Sequence, residues 1–284
     1  VLVELVREVQ RRHQELREKI AAAEKFRERA RELWVRYEPR PKPRRFIGVD
    51  SGWNYRAFQG YFLYAVDAAA LFEDGRRALE PMYEVDVGTL TVREGNRVGP
   101  RPKLYLMSKG MQFEYELALE GYEKADYVLV DGSLLARYYD PTTFKTTRLI
   151  DYFTDLMGKD RLVFVSKASY STRLLRGELG DSAYFNLLVP WAGHTRPESV
   201  GSVTFFYARF ADYTAALRIE VPVKDLSEQE VRELVDVLAS DQANGYPNVL
   251  RLVDSEVRVS AEQLKMVARL LGLEAEAGAR DVLG

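Results

Sequence analysis

The chain has 284 residues, 46% of them apolar, enough for one large domain or a domain with an appendage, and its formal charge is −2. No run approaches 18 apolar residues, so no hydrophobic spanning helix is expected, and the absence of cysteine excludes disulfides, zinc–thiolate sites and thiol catalysis. The only histidines, His13 and His194, lie too far apart for a two-histidine zinc motif on one helix, so a metal would be held mainly by oxygen, which favours Mg²⁺ or Mn²⁺.

The chain opens on Val1 rather than Met, so at least one residue is expected to precede it; the alternation of apolar and charged residues there is not a signal peptide. Residues 1–38 read as one long amphipathic helix. Leu2, Leu5, Val9, Leu16, Ile20, Ala23, Ala30, Leu33 and Tyr37 recur mostly at three- or four-residue steps, over a length of about 50 Å. Such a helix packs along its own domain or along a partner. Residues 1–45 hold 14 Lys and Arg against 8 Asp and Glu, which leaves −8 for the remainder. A basic arm on an acidic body fits a protein that touches nucleic acid while keeping carboxylates for metal; the plainer reading is a solvated basic helix. Pro39-Arg40-Pro41-Lys42-Pro43 ends the helix and forms an extended linker. Residues 1–43 are thus an arm and linker, and 44–284 a catalytic-looking domain.

Phe46–Val49 reads as a short buried strand, residues 58–70 as a second, and Met82–Val92 as a third, with Glu73-Asp74-Gly75 a turn. Together they suggest an antiparallel meander. A loop over 93–103 is followed by a helix over 104–124, a strand over 126–130, a helix over 142–158, a strand over 162–165 and a short helix over 169–177. Residues 203–210 and 213–221 read as a hairpin. A helix over 226–244 ends near Gly245, Val249–Val253 reads as a last strand, and Ser260 caps a helix to about Leu271.

Two carboxylates stand out. Asp50 follows Phe46-Ile47-Gly48-Val49 and precedes Ser51-Gly52; Asp131 follows Tyr127-Val128-Leu129-Val130 and precedes Gly132-Ser133. A buried strand places its end rigidly, and small residues leave room for a bound group. Two such carboxylates converging hold divalent metal against phosphate oxygens; taken singly, each is a turn aspartate. The intervening helix offers Glu114 and Glu116. Glu114 shares its stripe with Gly110, Met111, Leu117, Ala118 and Gly121, the buried face, whereas Glu116 falls with Lys109, Gln112, Glu120 and Glu123. A carboxylate on the buried face is costly unless paired or metal-bound, which favours Glu114. Lys167, just past a strand, is placed to contact a phosphate or position water, or is a surface lysine. Asp254, with Glu256 as alternative, is a further candidate ligand. The set fits metal-assisted phosphodiester hydrolysis with two ions and no histidine base. Trp53, Tyr55, Phe58 and Tyr61 are candidates for base stacking, or else core.

Gly48-Val49-Asp50-Ser51-Gly52, the glutamate-bearing helix at 111–121, Val128 to Leu134, Val165-Ser166-Lys167 with Ser169 and Ser171, and Gly245-Tyr246-Pro247 leading to Asp254 resemble the NurA nuclease family in its own order. The resemblance spans about 46–260. It implies an α/β, RNase H-like mixed sheet flanked by helices, with the long N-terminal helix outside it. It implies an Mn²⁺-dependent DNA nuclease with 5′→3′ exonuclease and single-strand endonuclease modes. The family acts as a homodimer with the hexameric ATPase HerA in archaeal DNA-end resection, so the expected setting is the cytoplasm, at the nucleoid. By residue, Asp50, Glu114 and Asp131 would be metal ligands and Lys167 an active-site cation. Family members often carry a histidine where this chain has Asp254.

Two rivals have distinct signatures. An actin-like ATPase or sugar kinase also uses Asp-bearing turns after strands, but the chain is short for two such domains and shows neither a C-terminal adenosine-binding Gly-Gly turn nor a Walker sequence. A non-catalytic DNA adaptor would use the basic helix, but it has no need of buried carboxylates that repel phosphate.

Overall fold

The computed structural model describes residues 2–94, 97–138 and 149–273. The N-terminal segment forms helix α1 (Leu2–Ala21), a 3₁₀ turn (Ala22–Phe26) and helix α2 (Arg27–Leu33), and then becomes extended as β1 (Trp34–Arg36). The single helix expected over 1–38 is therefore interrupted and ends early. Trp34 and Ala30 are buried, and Trp34-Val35-Arg36 pairs antiparallel with β9 (Gly193–Thr195). An aromatic and a β-branched residue at a sheet edge gain more from that pairing than from another helical turn.

Strand β2 (Phe46–Ala57) does not stop at Val49 but runs on to Ala57. Its antiparallel partner β3 (Phe62–Phe72) matches it from Ile47↔Phe72 to Ala57↔Phe62. Asp50-Ser51-Gly52 is thus continuous strand and not a turn. Strand β4 (Met82–Gly88) completes the expected meander. A small hairpin of β5 (Thr91–Glu94) and β6 (Arg97–Pro100) occupies much of the expected loop.

Helix α3 (Pro102–Gly121) leads to β7 (Tyr127–Asp131), a short α4 (Leu134–Tyr138), α5 (Leu149–Leu156) and β8 (Leu162–Ser166). Residues 142–148 of the expected helix lie outside the described residues. Residues 169–177 are not helical; the next helix is α6 (Asp181–Leu188). The Asp181 carboxylate accepts hydrogen bonds from the backbone N–H of Leu174 (3.1 Å) and Leu175 (2.9 Å), satisfying the loop without a helical ladder.

After β9, β10 (Glu198–Val200) pairs with β11 (Val203–Arg209), which forms the expected hairpin with β12 (Leu217–Val221). Helix α7 (Glu228–Leu238) starts in a Ser227–Glu230 capping box. It stops well short of 244, because Asn244 (φ 54°) and Gly245 (φ 81°) turn the two-residue strands β13 (Gln242–Ala243) and β14 (Tyr246–Pro247). Residues 249–253 are not a strand but part of helix α8 (Asn248–Glu256). Val249, Leu250, Val253 and Val257 are buried at helical spacing, and their burial holds the helix across β2, at about 1.5–3 kcal/mol per side chain. Helix α9 (Ala261–Leu270) begins at Ser260 as expected.

The ten-stranded sheet runs β1-β9-β11-β12-β8-β7-β2-β3-β4, with β10 also beside β11. β2–β7 and β7–β8 pair parallel, while β2–β3 and β3–β4 pair antiparallel. An antiparallel meander, β2-β3-β4, continued beyond its first strand by two parallel strands, β7 and β8, is the RNase H-like arrangement. The sheet divides two cores. One packs Ile47, Val49, Val128, Val130 and Phe164 against α3; the other packs Phe46, Leu129, Val163 and Val165 against α7 and α8.

Candidate metal centre

The parallel register pairs Val49 with Val130, so Asp50 and Asp131 are the next residues on neighbouring strands. Strand alternation puts both on the face of Phe46 and Leu129, the side covered by α8. There Gly48 and Gly52 clear a path for the helix. A Cβ on Gly48 would lie 2.9 Å from the Val249 carbonyl oxygen, and one on Gly52 only 1.4 Å from that of Val257. This close crossing brings Asp254, in the last turn of α8, over Asp50. Asp50, Asp131 and Asp254 each present a carboxylate oxygen within 4.8 Å of the others.

Glu114 approaches from α3. It is 3% exposed and accepts a hydrogen bond from Ser51 Oγ at 2.5 Å. Ser51 points to the opposite face of β2 from Asp50, and Gly110 makes room for it: a Cβ there would stand 2.6 Å from Ser51 Oγ. Glu116 instead accepts from Gln112 at 2.9 Å and from the Tyr152 hydroxyl. Glu256 faces outward and pairs with Arg77 at 3.1 Å.

Lys167 Nζ lies 2.9 Å from Asp131 Oδ2 and 4.6 Å from the centre of the Tyr246 ring. Burial opposes its charge, but Asp131, Asp254 and Asp50 hold its pKa above the ordinary lysine value. One lysine does not balance the carboxylates. Burial, then the charges of Glu114 and Asp131, push Asp50 up to about 8, despite the 2.8 Å hydrogen bond that it accepts from the Ser51 N–H. A cluster of oxygen donors in which one carboxyl resists ionisation is matched to a hard divalent cation.

Of the sequence candidates, Asp50, Asp131, Asp254, Glu114 and Lys167 are brought together. The aromatic group is mostly core packing: Phe58 stacks on Tyr61 at 5.0 Å, while Trp53 and Tyr55 pack against the α3-side core. Sequence reasoning assigns no role to Tyr246, Arg218 or Glu220. Tyr246 is half-buried, with its hydroxyl enclosed near Asp131. Its hydroxyl has no well-formed hydrogen bond, and burial followed by the charge of Asp131 drives its pKa upward. Glu220 accepts from Ser133 Oγ and the Leu135 N–H, both at 2.8 Å, and from Arg218 Nε at 2.5 Å. This network anchors the turn that follows Asp131. Its signal is Leu217-Arg218-Ile219-Glu220-Val221, two opposite charges on one face of a buried strand.

The NurA domain family matches residues 44–259. The DNA double-strand break repair nuclease NurA of Sulfurisphaera tokodaii is 23% identical, over 88% of this chain and 87% of its own length. In fold, the NurA nuclease from Sulfolobus solfataricus superposes with a TM-score of 0.77 at 18% identity, covering 95% of each chain. A NurA structure bound to dAMP and manganese superposes with a TM-score of 0.67 at 12% identity, covering 99% of each. The family match spans most of the chain, including every candidate ligand, and the chain belongs to the NurA family.

Proposed function

We propose that this protein is a divalent-metal-dependent DNA nuclease of double-strand break repair, hydrolysing phosphodiester bonds at the Asp50–Asp131–Asp254 centre. The observation that carries this reading is the convergence of three carboxylates from β2, β7 and α8, within 4.8 Å of one another, in a chain of the NurA family. Asp50, Asp131 and Asp254 would hold the metal, with Glu114 completing the set from α3. Two ions, Mn²⁺ or Mg²⁺, suit this number of carboxylates, and a related NurA structure carries manganese with dAMP. When bound, such ions lower the pKa of an attacking water and stabilise charge on the leaving 3′ oxygen.

The protein's own groups prepare this chemistry. Ser51 fixes the Glu114 carboxylate. Glu220 holds the turn after Asp131 through Ser133 and Leu135. Lys167, paired with Asp131, would be the cation available to a phosphate oxygen beside that carboxylate. We assign 5′→3′ exonuclease and single-strand endonuclease modes and a cytoplasmic role in end resection with the HerA ATPase; these rest on family membership. A homodimer is supported by α1, which exposes Leu2, Val3, Leu5, Val6 and Val9.

Degradation of 5′- and 3′-labelled DNA with Mn²⁺, Mg²⁺ or EDTA, beside Asp131→Asn, tests the reading. Metal-dependent cleavage lost in the variant supports it, and the label pattern gives polarity. Cleavage that persists in EDTA or in Asp131→Asn refutes it. ATP turnover without DNA would favour the actin-like ATPase instead.

A further inference from the structure

Beside the carboxylate centre lies a cavity of about 560 Å³ between the ends of β7 and β8 and the 168–173 loop. It adjoins the reaction site through the backbone: Ser133 is two residues past Asp131, and Ser166 directly precedes Lys167. Its walls are of two kinds. Leu135, Ala136, Ala168 and Val200 are apolar, while Ser169, Ser171 and Thr172 bring hydroxyls. Tyr170, on the lining, is 92% exposed.

Leu135 and Ser166 are buried in the lining, and so is its one buried charged group among the described residues, Arg218, 4% exposed. Its Nε donates to Glu220 and its Nη1 to Tyr207 Oη at 3.2 Å, but no described residue accepts from Nη2. The guanidinium therefore keeps donors for a guest. Its charge is matched by Glu220, and Arg173 on the same lining faces Glu198 at 3.7 Å. Such a cavity has little net charge with which to attract a phosphate. Apolar walls, a few placed donors and hydroxyls, an exposed aromatic ring and this volume suit a flat, neutral, polar ring.

We propose that this cavity receives one unstacked nucleobase of the DNA strand, next to the phosphate being cleaved, with Tyr170 stacking on it and Arg218 donating to its acceptor edge. The proposal rests on the nuclease reading for its substrate. A base presenting carbonyl or ring-nitrogen acceptors is favoured, because a guanidinium only donates. The cavity would thus fix the register of the strand over the carboxylates.

The test walks a single 2-aminopurine along a single-stranded oligodeoxynucleotide and reads its fluorescence on binding in EDTA at low salt. In parallel, a single abasic residue is walked along a cleavable substrate. Wild type should show one position whose fluorescence changes at least about twofold, and an abasic residue at that position should lower kcat/KM about tenfold, within the range for loss of a stacked base. Ala168→Trp, which fills the cavity from an exposed position, and Tyr170→Ala should abolish both position effects. A fluorescence profile unchanged in Ala168→Trp, or no responding position in wild type, overturns the proposal. The two readings separate cleanly. A fluorescence response without cleavage in any metal counts against the nuclease and for the cavity, whereas cleavage with an identical profile in both variants counts against the cavity alone.

Discussion

At the scale of single residues, Asp50 is the proposed ligand whose surroundings bear hardest on its charge. Its pKa is pushed from 3.8 to about 8 by burial and by Glu114 and Asp131. In the metal-free protein the folded state therefore binds a proton that the unfolded chain has released, and the site costs stability increasingly as pH rises from about 4 to about 8. Asp50→Asn removes this cost. In EDTA its melting temperature should exceed that of wild type at pH 8, and the gap should close as pH falls toward 4, as thermal denaturation across that range will show. With Mn²⁺ the order should reverse, because the proposed site would give only wild type stability from the ion. Lys167→Met should leave Mn²⁺ affinity nearly unchanged but lower kcat about 100-fold, the cost of losing one donor aimed at developing charge; single-turnover kinetics with metal titration separates the two effects. Asp50, Glu114, Asp131 and Lys167 are legible in the sequence because each combines a charge with a buried periodic neighbourhood. Tyr246 is not, because a tyrosine in a short Gly-Tyr-Pro ribbon has no apolar period to mark it.

Elements decide whether those residues meet. Helix α8 lies on β2 only because Gly48 and Gly52 have no side chains, and Gly52 faces the Val257 carbonyl directly. Gly52→Ala should therefore lift the end of α8, destabilise the fold by about 3 kcal/mol or more in urea denaturation, and weaken Mn²⁺ binding by displacing Asp254. Removing one partner of the buried Arg218–Glu220 pair strands the other charge. Glu220→Ala should cost about 3–5 kcal/mol and free the turn after Asp131, which hydrogen exchange at the Leu135 amide would report. The sequence reading takes 249–253 as a strand, since five apolar-rich residues after a turn fit either state and only the crossing over β2 selects the helix. The same limit applies at Asp50-Ser51-Gly52. Small residues after an apolar run imitate a turn, whereas here they are a strand thinned to admit α3 on one face and α8 on the other. The meander, the β7 and β8 strands and the β11–β12 hairpin are readable because their apolar runs are bounded by clear turns.

For the whole molecule, the charge asymmetry and the N-terminal arm are visible from composition and period. The break at Ala22–Phe26 and the return of Trp34–Arg36 to the sheet edge depend on the distant strand Gly193–Thr195, which no local pattern announces. Helix α1 leaves Leu2, Val3, Leu5, Val6 and Val9 exposed; on the proposed homodimer, deletion of residues 1–21 should leave a monomer by light scattering, against a dimer for the full chain, while the circular dichroism of the sheet persists. Among the described residues, no helix is long and apolar enough to cross a membrane. The proposed chemistry requires that Asp50, Asp131 and Asp254 enclose a divalent ion. Anomalous diffraction at the manganese edge, from crystals grown with Mn²⁺, tests it most directly. Anomalous density should lie between these three carboxylates and be absent in Asp50→Asn. Manganese bound elsewhere, or retained at full strength in the variant, would contradict it.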